Sequence, residues 1–358
     1  MELKIKKIAV LCDYHLSEKR VGGMDRFFWL FDAACKQLGH EVTWFFPNNE
    51  RHCDYINFNS IAANGKSIEA TFLEENQKFD LIFTHFLELC TPFYKQVKKQ
   101  KLAKQIIAVD HNPRPFEGYP IKKRIQKKIK GWFYASYIDL FIGVSNYTVE
   151  AILKDFGQGL SSKTIVIYNG IEQQRFTKRR NRAKVKPTFL VACHLRFSKG
   201  IQDLIEAVYL VPTAIQSHIK IDVYGEGAYQ IDLEKRIANK NLVANFIFKG
   251  SVSNLYDVYH KYDYLLQPTH MECFSLAILE SLSANVPVIT TPVGGNEEVI
   301  QNGKNGFIIP VQNPECLSQL IQQLYLGEKG IVEETYSLIE EQFSIERMVL
   351  DYCNLINK

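Results

Sequence analysis

The chain has 358 residues, of which 46% are hydrophobic and 23% charged, with 12 Pro and 20 Gly. This composition is typical of a globular protein and excludes a disordered or fibrous chain. Because single hydrophobic cores rarely exceed roughly 250 to 300 residues, two domains are expected. No apolar run approaches the roughly 18 residues of a membrane span, and the N-terminal residues lead directly into a strand-like segment. We therefore expect neither a membrane-spanning nor a secreted protein.

The net charge of +4 is unevenly distributed along the chain. Residues 1–180 carry 28 Lys and Arg against 19 Asp and Glu, a net charge of +9, whereas residues 181–358 carry 15 against 20, a net charge of −5. The first half is therefore expected to face an anionic partner. The eight cysteines form no Cys-x-x-Cys pair and show no histidine spacing typical of zinc. This predicts reduced, mostly buried thiols in the cytosol and no metal site.

Both halves of the chain alternate short apolar runs with amphipathic helical patterns. The first half begins with an apolar run at 5–11, which Gly22, Gly23 and a helix over 25–38 follow. Further strands in this half are predicted at 41–46, 81–84, 105–109, 140–144 and 164–168. After a polar, basic stretch the pattern restarts, with strands predicted at 188–192, 220–224, 245–249, 264–267 and 286–290. Such alternation predicts an α/β protein with two doubly wound parallel sheets.

The basic stretch sets the expected domain boundaries. We expect a first domain over 1–172, a second over 187–343, and a C-terminal amphipathic helix over 344–358.

The most informative segment reads QPTHMECFSLAILESLSANVPVITTPVGG and places two carboxylates, Glu272 and Glu280, around the start of a helix. Consecutive backbone N–H groups precede this helix at Phe274, Ser275 and Leu276. Amides in this arrangement bind a phosphate or a sugar hydroxyl. A carboxylate one or two turns further along the helix suits vicinal hydroxyls such as those of a ribose. An ordinary strand, loop and helix would give the same pattern without a ligand.

A second cluster, ACHLRFSKGIQDLIEAV, places Arg196 and Lys199 in the turn between a strand and a helix. Two cations at a helix N-terminus repel the helix dipole unless an anion lies between them. Arg supplies a forked donor and Lys a mobile point charge, so together they could neutralise a diphosphate. A solvated pair of surface cations is the alternative.

Candidate residues of the first half lie after predicted strands. Gly22 and Gly23 precede a helix and allow a ligand to approach the backbone closely, although an ordinary turn would look the same. His85, in FTHFLEL, and His111, in AVDHNPRP, each follow a strand at the sheet edge where α/β proteins usually bind ligands. Single histidines are also common as structural residues, so position alone assigns neither.

The segment PIKKRIQKKIKGWFY, residues 120–134, combines an apolar stripe with many cations. The stripe consists of Ile121, Ile125 and Ile129 at four-residue spacing, followed by Trp132 and Phe133. The cations are Lys122, Lys123, Arg124, Lys127, Lys128 and Lys130. This pattern predicts a helix on an anionic membrane surface, with lysines over the headgroups and Trp132 at the interface. A core-packed helix with a solvated basic face is the alternative, and the absence of a recognition motif argues against nucleic acid.

At these residues the chain resembles the retaining glycosyltransferases of family 4, whose GT-B architecture consists of two Rossmann-like domains facing across a cleft. The resemblance covers nearly the whole chain, and the order and spacing of its motifs make it specific. The motifs are Gly22-Gly23, GVSNYTVEAIL, YNGIE, the Arg196/Lys199 turn, YGEG, FKGSVS, the Glu272/Glu280 segment, PVGGNEEVI and NGFIIP.

The resemblance implies a nucleotide-sugar donor and assigns each candidate a role. Arg196 and Lys199 would hold the diphosphate, and Glu280 the ribose. Glu272, with the amides of Phe274, Ser275 and Leu276, would hold the sugar and phosphate, while Cys273 would shape the sugar pocket and the backbone at Val252 would hold the base. His111 would lie beside the transferred sugar, Gly23 would bring the first helix to the phosphates, and the C-terminal helix would return to the first domain.

The same resemblance implies transfer with retention, without a metal or other cofactor, to a glycan or lipid-linked acceptor in cell-envelope polysaccharide or glycoconjugate synthesis. No Asp-x-Asp occurs, as expected for metal independence. We expect a cytoplasmic protein, peripheral on the inner face of the plasma membrane if the basic helix binds there. The chain departs from the family at Cys193-His194-Leu195, where Gly-Arg-Leu is usual, so its arginine lies three residues before Lys199 instead of five. A nucleotide-sugar-binding protein with impaired catalysis is therefore the alternative, whereas a Rossmann oxidoreductase lacks its fingerprint here.

Overall fold

The computed structural model describes residues 5–18 and 21–356. Two compact units divide the chain: Met1–Gly170 with Ile345–Lys358, and Ile171–Ser344. Each unit contains one parallel sheet with helices, as predicted for a Rossmann-like α/β fold.

The first unit is built on a parallel sheet that has seven strands within the described residues, in the order β3-β2-β1-β4-β5-β6-β7. The strands are β1 Lys7–Cys12, β2 Glu41–Phe46, β3 Ser60–Ala62, β4 Phe79–His85, β5 Ala103–Asp110, β6 Leu140–Gly143 and β7 Thr164–Val166. Most residues of the central strands are buried, as expected for a parallel sheet covered on both faces. The short edge strand β3 was not predicted; the other strands were, within a few residues.

Five helices of the described chain connect these strands. They are α1 Gly23–Gln37, α2 Ile68–Glu75, α3 Pro92–Lys99, α4 Ile121–Tyr134 and α5 Asn146–Phe156. The predicted site residues of this unit lie at two of these elements: Gly22 and Gly23 at the start of α1, and His111 directly after β5.

The second unit repeats the plan with a parallel sheet that has six strands in the described part of the chain, ordered β10-β9-β8-β11-β12-β13. The strands are β8 Phe189–Ala192, β9 Ile221–Tyr224, β10 Phe246–Gly250, β11 Tyr264–Gln267, β12 Val288–Thr290 and β13 Gly306–Ile308. The helices are α6 Ile201–Leu210, α7 Thr213–Gln216, α8 Gln230–Asn239, α9 Leu276–Ser283, α10 Asn296–Val299, α11 Pro314–Leu326 and α12 Ser337–Gln342. All strands except β13 were predicted from the sequence.

The last helix, α13 Ile345–Ile356, belongs to the first unit, where it packs against α1. Its Tyr352 is fully buried, with its ring 4.9 Å from that of Phe27. No helix in the described ranges is both long enough and apolar enough to cross a membrane.

The basic stretch that follows Gly170 lies on the second unit. Arg179 Nη2 is 2.6 Å from Asp263 Oδ1, and Arg182 donates to the backbone carbonyls of Asn285 and Ile331. Hydrogen bonds along its length therefore hold this stretch against the unit, although its polar composition resembles that of a linker.

Candidate active site

The strand order of the second unit positions the candidate residues. β8 and β11 are neighbours, and the chain runs from β8 towards one edge of the sheet and from β11 towards the other. In open α/β sheets, ligands bind beyond the carboxyl ends of strands at such a switch point. Arg196 and Lys199 follow β8, and Glu272 follows β11.

Lys199 and Glu272 are in direct contact. Lys199 Nζ is 2.6 Å from Glu272 Oε2, and both side chains are about one-fifth exposed, at 20% and 17%. Burial acts to lower the pKa of Lys199, but the Glu272 carboxylate outweighs it and raises that pKa above its ordinary value. Burial also raises the pKa of the neighbouring Cys193 thiol to about 12. Lys199 is therefore a cation, and Cys193 is a neutral thiol, at neutral pH.

Arg196 stands at the start of the short turn Phe197–Lys199, where its side chain is exposed. It forms no ion pair within the described residues. Its positive charge acts against protonation of Lys199, so the two cations are electrostatic neighbours. The turn after β8 therefore brings two cations close to the Glu272 carboxylate.

Gly200 packs the turn tightly against the loop that carries Glu272. Its φ is +70°, and a Cβ there would lie 1.7 Å from the carbonyl oxygen of Pro268, so only glycine fits. Thr269 Oγ1 donates to the Ser198 carbonyl, and His270 Nε2 lies 2.5 Å from Asp203 Oδ2. These bonds fix the turn after β8 to the loop after β11.

The loop before α9 carries the backbone amides of Phe274, Ser275 and Leu276, the predicted donors to phosphate. The Ser275 side chain does not cap the helix, because its Oγ accepts a hydrogen bond of 2.7 Å from Gln267 Nε2. The side chains of Cys273, Phe274 and Ser275 are buried, so this segment can offer a ligand mainly its backbone. An anion near the first N–H groups of α9 would be stabilised by them and by the helix dipole.

Gly294 supports the same loop from behind. Its φ is +61°, and a Cβ there would lie 2.3 Å from the Glu272 carbonyl oxygen. The N–H of Gly295 donates to the carbonyl of Cys273 over 2.7 Å. The PVGG segment therefore determines where Glu272 and the amides after it lie.

Glu280 lies on the second turn of α9, next to Tyr259. The Tyr259 hydroxyl donates to Glu280 Oε2 over 2.8 Å. Burial raises the pKa of Glu280 to about 7, although the Tyr259 hydrogen bond and the positive charge of Arg175 both act in the opposite direction. Val252, the predicted base contact, follows β10 and is partly exposed.

In the first unit, the Gly22-Gly23 turn is held by a buried carboxylate. Asp25 Oδ2 accepts from the N–H of Gly22 over 2.7 Å and from the hydroxyl of Tyr14 over 2.9 Å. Asp25 Oδ1 accepts from Tyr55 over 2.8 Å. Asp25 thus fixes the N-terminus of α1, where the helix dipole favours a negative charge.

His111 directly follows β5 and pairs with His85 at the end of β4. His85 Nδ1 lies 3.0 Å from His111 Nε2. Burial lowers the pKa of His111 to about 4, although the charge of Asp110 acts in the opposite direction. Burial, with a smaller contribution from His111, also lowers the pKa of His85 well below its ordinary value. Both rings are therefore neutral at pH 7.

The basic helix α4 is exposed along most of its length. The structure buries only Gly131 of its residues, while Ile121, Ile125, Ile129 and Trp132 reach the surface, the last 79% exposed. Lys127 Nζ lies 3.0 Å from Asp155 Oδ2, and the Lys127 side chain is only 13% exposed. Lys127 is therefore not among the cations that can contact a membrane, contrary to the prediction. Lys130 pairs with Glu88 over 2.6 Å but remains partly exposed.

Several residues of the site were not predicted. No sequence motif marks Tyr259, Asp203 or His270, although His270 lies inside the most informative segment of the sequence. Across the described ranges, no group of three His, Cys, Asp or Glu side chains could hold a metal ion.

Two families match the two halves of the chain. Residues 21–175 match the family described as Glycosyltransferase Family 4, and residues 172–341 match the family described as Glycosyl transferases group 1.

Curated relatives align mainly over half of the chain. The GtfA subunit of UDP-N-acetylglucosamine–peptide N-acetylglucosaminyltransferase from Streptococcus agalactiae is 29% identical over 188 residues, which cover 52% of this chain and 37% of that protein. The putative glycosyltransferase EpsD from Bacillus subtilis is 26% identical over 203 residues, which cover 54% of this chain and 52% of that protein. The aligned part thus spans about half the length of these relatives, or less.

Solved structures share the fold over nearly the whole chain. Anabaena HepE, in complex with UDP and glucose, has a TM-score of 0.78 at 14% identity, covering 99% of this chain and 100% of that one. Sucrose-phosphate synthase from Thermosynechococcus elongatus has a TM-score of 0.74 at 18% identity, covering 98% of both chains. These likenesses confirm the predicted fold of two Rossmann-like units.

Proposed function

The chain belongs to the family 4 glycosyltransferases with the GT-B fold, and from that premise we propose that it transfers a sugar from a UDP- or GDP-linked donor to a glycan or lipid-linked acceptor. The observation that carries the proposal is the contact between Lys199 and Glu272 in front of the N-terminus of α9. It joins a cation and a carboxylate just before the backbone N–H groups that open α9, and a sugar diphosphate requires groups of these three kinds. The UDP-linked donor named for the Streptococcus relative and the UDP bound to Anabaena HepE support such a donor.

The leaving diphosphate is the part of the reaction that this site suits best. When the anomeric C–O bond breaks, negative charge grows on the diphosphate and positive charge on the sugar. Arg196, Lys199 and the amides that open α9 would stabilise that negative charge in place of a metal. Preorganised donors of this kind are each worth about 3 to 4 kcal/mol in the transition state.

Glu272 is assigned to sugar positioning rather than nucleophilic attack. Its Oε2 is engaged by Lys199, which lowers the nucleophilicity of that oxygen. Retention would then follow from attack on the same face, with a departing phosphate oxygen accepting the proton of the acceptor. From the first unit, the proposal keeps the resemblance-based roles of His111 at the transferred sugar and of Gly23 at the phosphates.

The exposed helix α4 supports a membrane-associated acceptor. Its apolar stripe and the cations Lys122, Lys123, Arg124 and Lys128 reach the surface. A groove of about 740 Å³ runs beside it, lined in part by Phe116, Ile125 and Tyr147. An anionic lipid surface satisfies both features, because headgroups pair with lysines while acyl chains cover the isoleucines.

The exposed helix α4 and the cysteines together support a location for the reaction. All eight cysteines are free thiols, which fits a reducing compartment. We therefore place the proposed reaction, in envelope polysaccharide or glycoconjugate synthesis, at the cytoplasmic face of the membrane.

The test is a donor panel of UDP-N-acetylglucosamine, UDP-glucose and GDP-mannose, measured as nucleoside diphosphate release with and without EDTA and with and without membrane-lipid extract. We expect release from one donor, unaffected by EDTA and stimulated by the extract, with NMR of the product showing the anomeric configuration of the donor. Binding of UDP or GDP without release from any donor would favour the alternative, a nucleotide-sugar-binding protein with impaired catalysis.

A further inference from the structure

His85 and His111 form a pair at the carboxyl ends of two adjacent strands. β4 ends at His85, β5 ends at Asp110, and the two strands are hydrogen-bonded neighbours. The separation of 3.0 Å between His85 Nδ1 and His111 Nε2 is a hydrogen bond between two imidazole rings. Because both rings are neutral, one nitrogen of the pair must carry the proton and the other must accept it.

The surroundings of His85 decide the direction of this bond. His85 is completely buried, and its other nitrogen, Nε2, has no hydrogen-bond partner within the described residues. If His85 accepted from His111, its own proton would be on Nε2 and would form an orphaned buried N–H, which is rare in folded proteins. The favoured arrangement has His85 donating through Nδ1–H to Nε2 of His111, which leaves the proton of His111 on Nδ1.

The ring of His111 is also held from one face. Phe86 stacks on it with ring centroids 4.2 Å apart and an interplanar angle of 22°. Phe86 has a φ of +63°, a left-handed conformation that is strained for a bulky residue. Strain of this kind persists where the surrounding structure fixes it and concentrates at functional sites.

We propose that His85 is a positioning residue that, with Phe86 stacked on the ring, fixes His111 in a single orientation and in its Nδ1–H tautomer. His85 acts only through His111, because its own ring is buried among the rings of Phe27, Phe28 and Tyr352. The consequence for transfer rests on the proposed role of His111 at the sugar: a neutral ring that carries its proton on Nδ1 donates a hydrogen bond from that N–H to a sugar oxygen, and the proton stays on His111.

The direct test observes the tautomer without any ligand. Long-range ¹H–¹⁵N correlation spectra of the ¹⁵N-histidine-labelled full chain at pH 7.5, assigned with His111→Gln, should show His111 protonated on Nδ1 only. In His85→Leu the pattern should change to a mixture of tautomers. A wild-type His111 protonated on Nε2, or a pattern that His85→Leu leaves unchanged, overturns the proposal.

Activity provides a second readout if one donor of the panel is hydrolysed. We expect His85→Leu to lower kcat by about 10²-fold, the low end of the loss for one oriented hydrogen-bond donor, with donor KM unchanged. His85→Asn, whose side-chain amide can donate from the same position, should restore most of kcat. The double variant with His111→Ala should be no slower than His111→Ala alone, whereas additive losses would contradict the proposal.

A matched control separates positioning from folding. His52 is a buried histidine of the same unit whose two ring nitrogens also have no hydrogen-bond partner in the described part of the chain. His52→Leu should lower thermal stability as His85→Leu does but leave kcat near that of the wild type. If no donor of the panel is turned over, the proposed function fails, while the tautomer measurement still decides the proposal for His85.

Discussion

Lys199 Nζ lies 2.6 Å from Glu272 Oε2, although 73 positions separate the two residues in the chain. The contact brings together the turn after β8 and the loop after β11, the two strands at the switch point of the second sheet. A diphosphate entering this site would share Lys199 with Glu272, so the carboxylate would limit how tightly ground-state phosphate binds. The lysine would act most strongly when charge grows on the leaving group.

Replacing Lys199 should therefore affect turnover more than folding. We expect Lys199→Ala to reduce nucleoside diphosphate release by roughly 10²- to 10³-fold, the loss typical of one donor to a developing anion. Lys235→Ala, which removes an exposed lysine of the same unit, should leave the rate unchanged. Turnover of Lys199→Ala near that of the wild type would show that this lysine does not contact the diphosphate.

The ionisation of Glu280 should make nucleotide binding depend on pH. Its pKa is about 7, and the ionised form is the better acceptor for two ribose hydroxyls. At pH 6 about one-tenth of the carboxylate is ionised, so UDP affinity should fall by up to about tenfold between pH 8 and pH 6. Isothermal titration calorimetry measures this directly, and Glu280→Gln should remove the pH dependence. If the UDP affinity of the wild type and that of Glu280→Gln changed equally with pH, another group would be responsible for the pH dependence.

The raised pKa of Glu280 should make the folded protein less stable as the pH rises, whereas UDP binding should become stronger. Because the pKa of Glu280 in the folded protein lies above its ordinary value of 4.5, the folded state binds the proton more tightly than the unfolded state. The contribution of this group to the free energy of unfolding is therefore full below pH 4.5 and is lost as the pH rises through 7. Thermal melts at pH 8 should show Glu280→Gln to be more stable than the wild type, with the difference disappearing near pH 5.

Two glycines with left-handed backbone provide a matched test of the loop that carries Glu272. Gly294→Ala must avoid a contact of 2.3 Å with the Glu272 carbonyl, whereas Gly303→Ala meets no atom within 4 Å. In both variants the free energy of unfolding should fall by about 1 to 2 kcal/mol, because alanine is strained in the left-handed conformation. In Gly294→Ala it should fall by roughly 1 to 3 kcal/mol more, because the added Cβ overpacks the loop. Only Gly294→Ala should lose activity. Equal activity in the two variants would show that the loop tolerates displacement.

Membrane binding should depend on the apolar stripe of α4. We expect the wild type to sediment with vesicles of phosphatidylcholine and phosphatidylglycerol (70:30) and not with phosphatidylcholine alone, because its cations require anionic headgroups. The double variant Ile125→Glu/Trp132→Glu should stay in the supernatant. Val332→Glu changes an even more exposed apolar residue of the second unit and should not alter sedimentation. Sedimentation that is equal with both lipid compositions would contradict the membrane proposal.

The fold followed from the sequence wherever burial was continuous. Strands such as β5 and β11 contain buried apolar runs, at 106–109 and 264–266, and were predicted within a few residues. β3 and β13 escaped prediction because each has only three residues at a sheet edge, where partial exposure weakens the pattern. The edge strand β7 is equally short but was predicted because it begins a longer, mainly apolar run over 164–168.

The site was predictable only as separate pieces. Local spacing identified Lys199 and Glu272 individually, but their contact depends on two loops packing around Gly200, which no sequence period reveals. The pairing of Tyr259 with Glu280 is hidden for the same reason. Lys127 was misplaced because its partner Asp155 lies on the following helix, so the burial of its charge depends on how two helices pack.

A crystal structure of the complex with UDP tests the central claim most directly. The account predicts the diphosphate within hydrogen-bonding distance, about 3 Å, of Lys199 Nζ and of the amides that open α9, with the ribose hydroxyls on Glu280. A diphosphate bound elsewhere on the second unit, with Lys199 still paired only to Glu272, would contradict it.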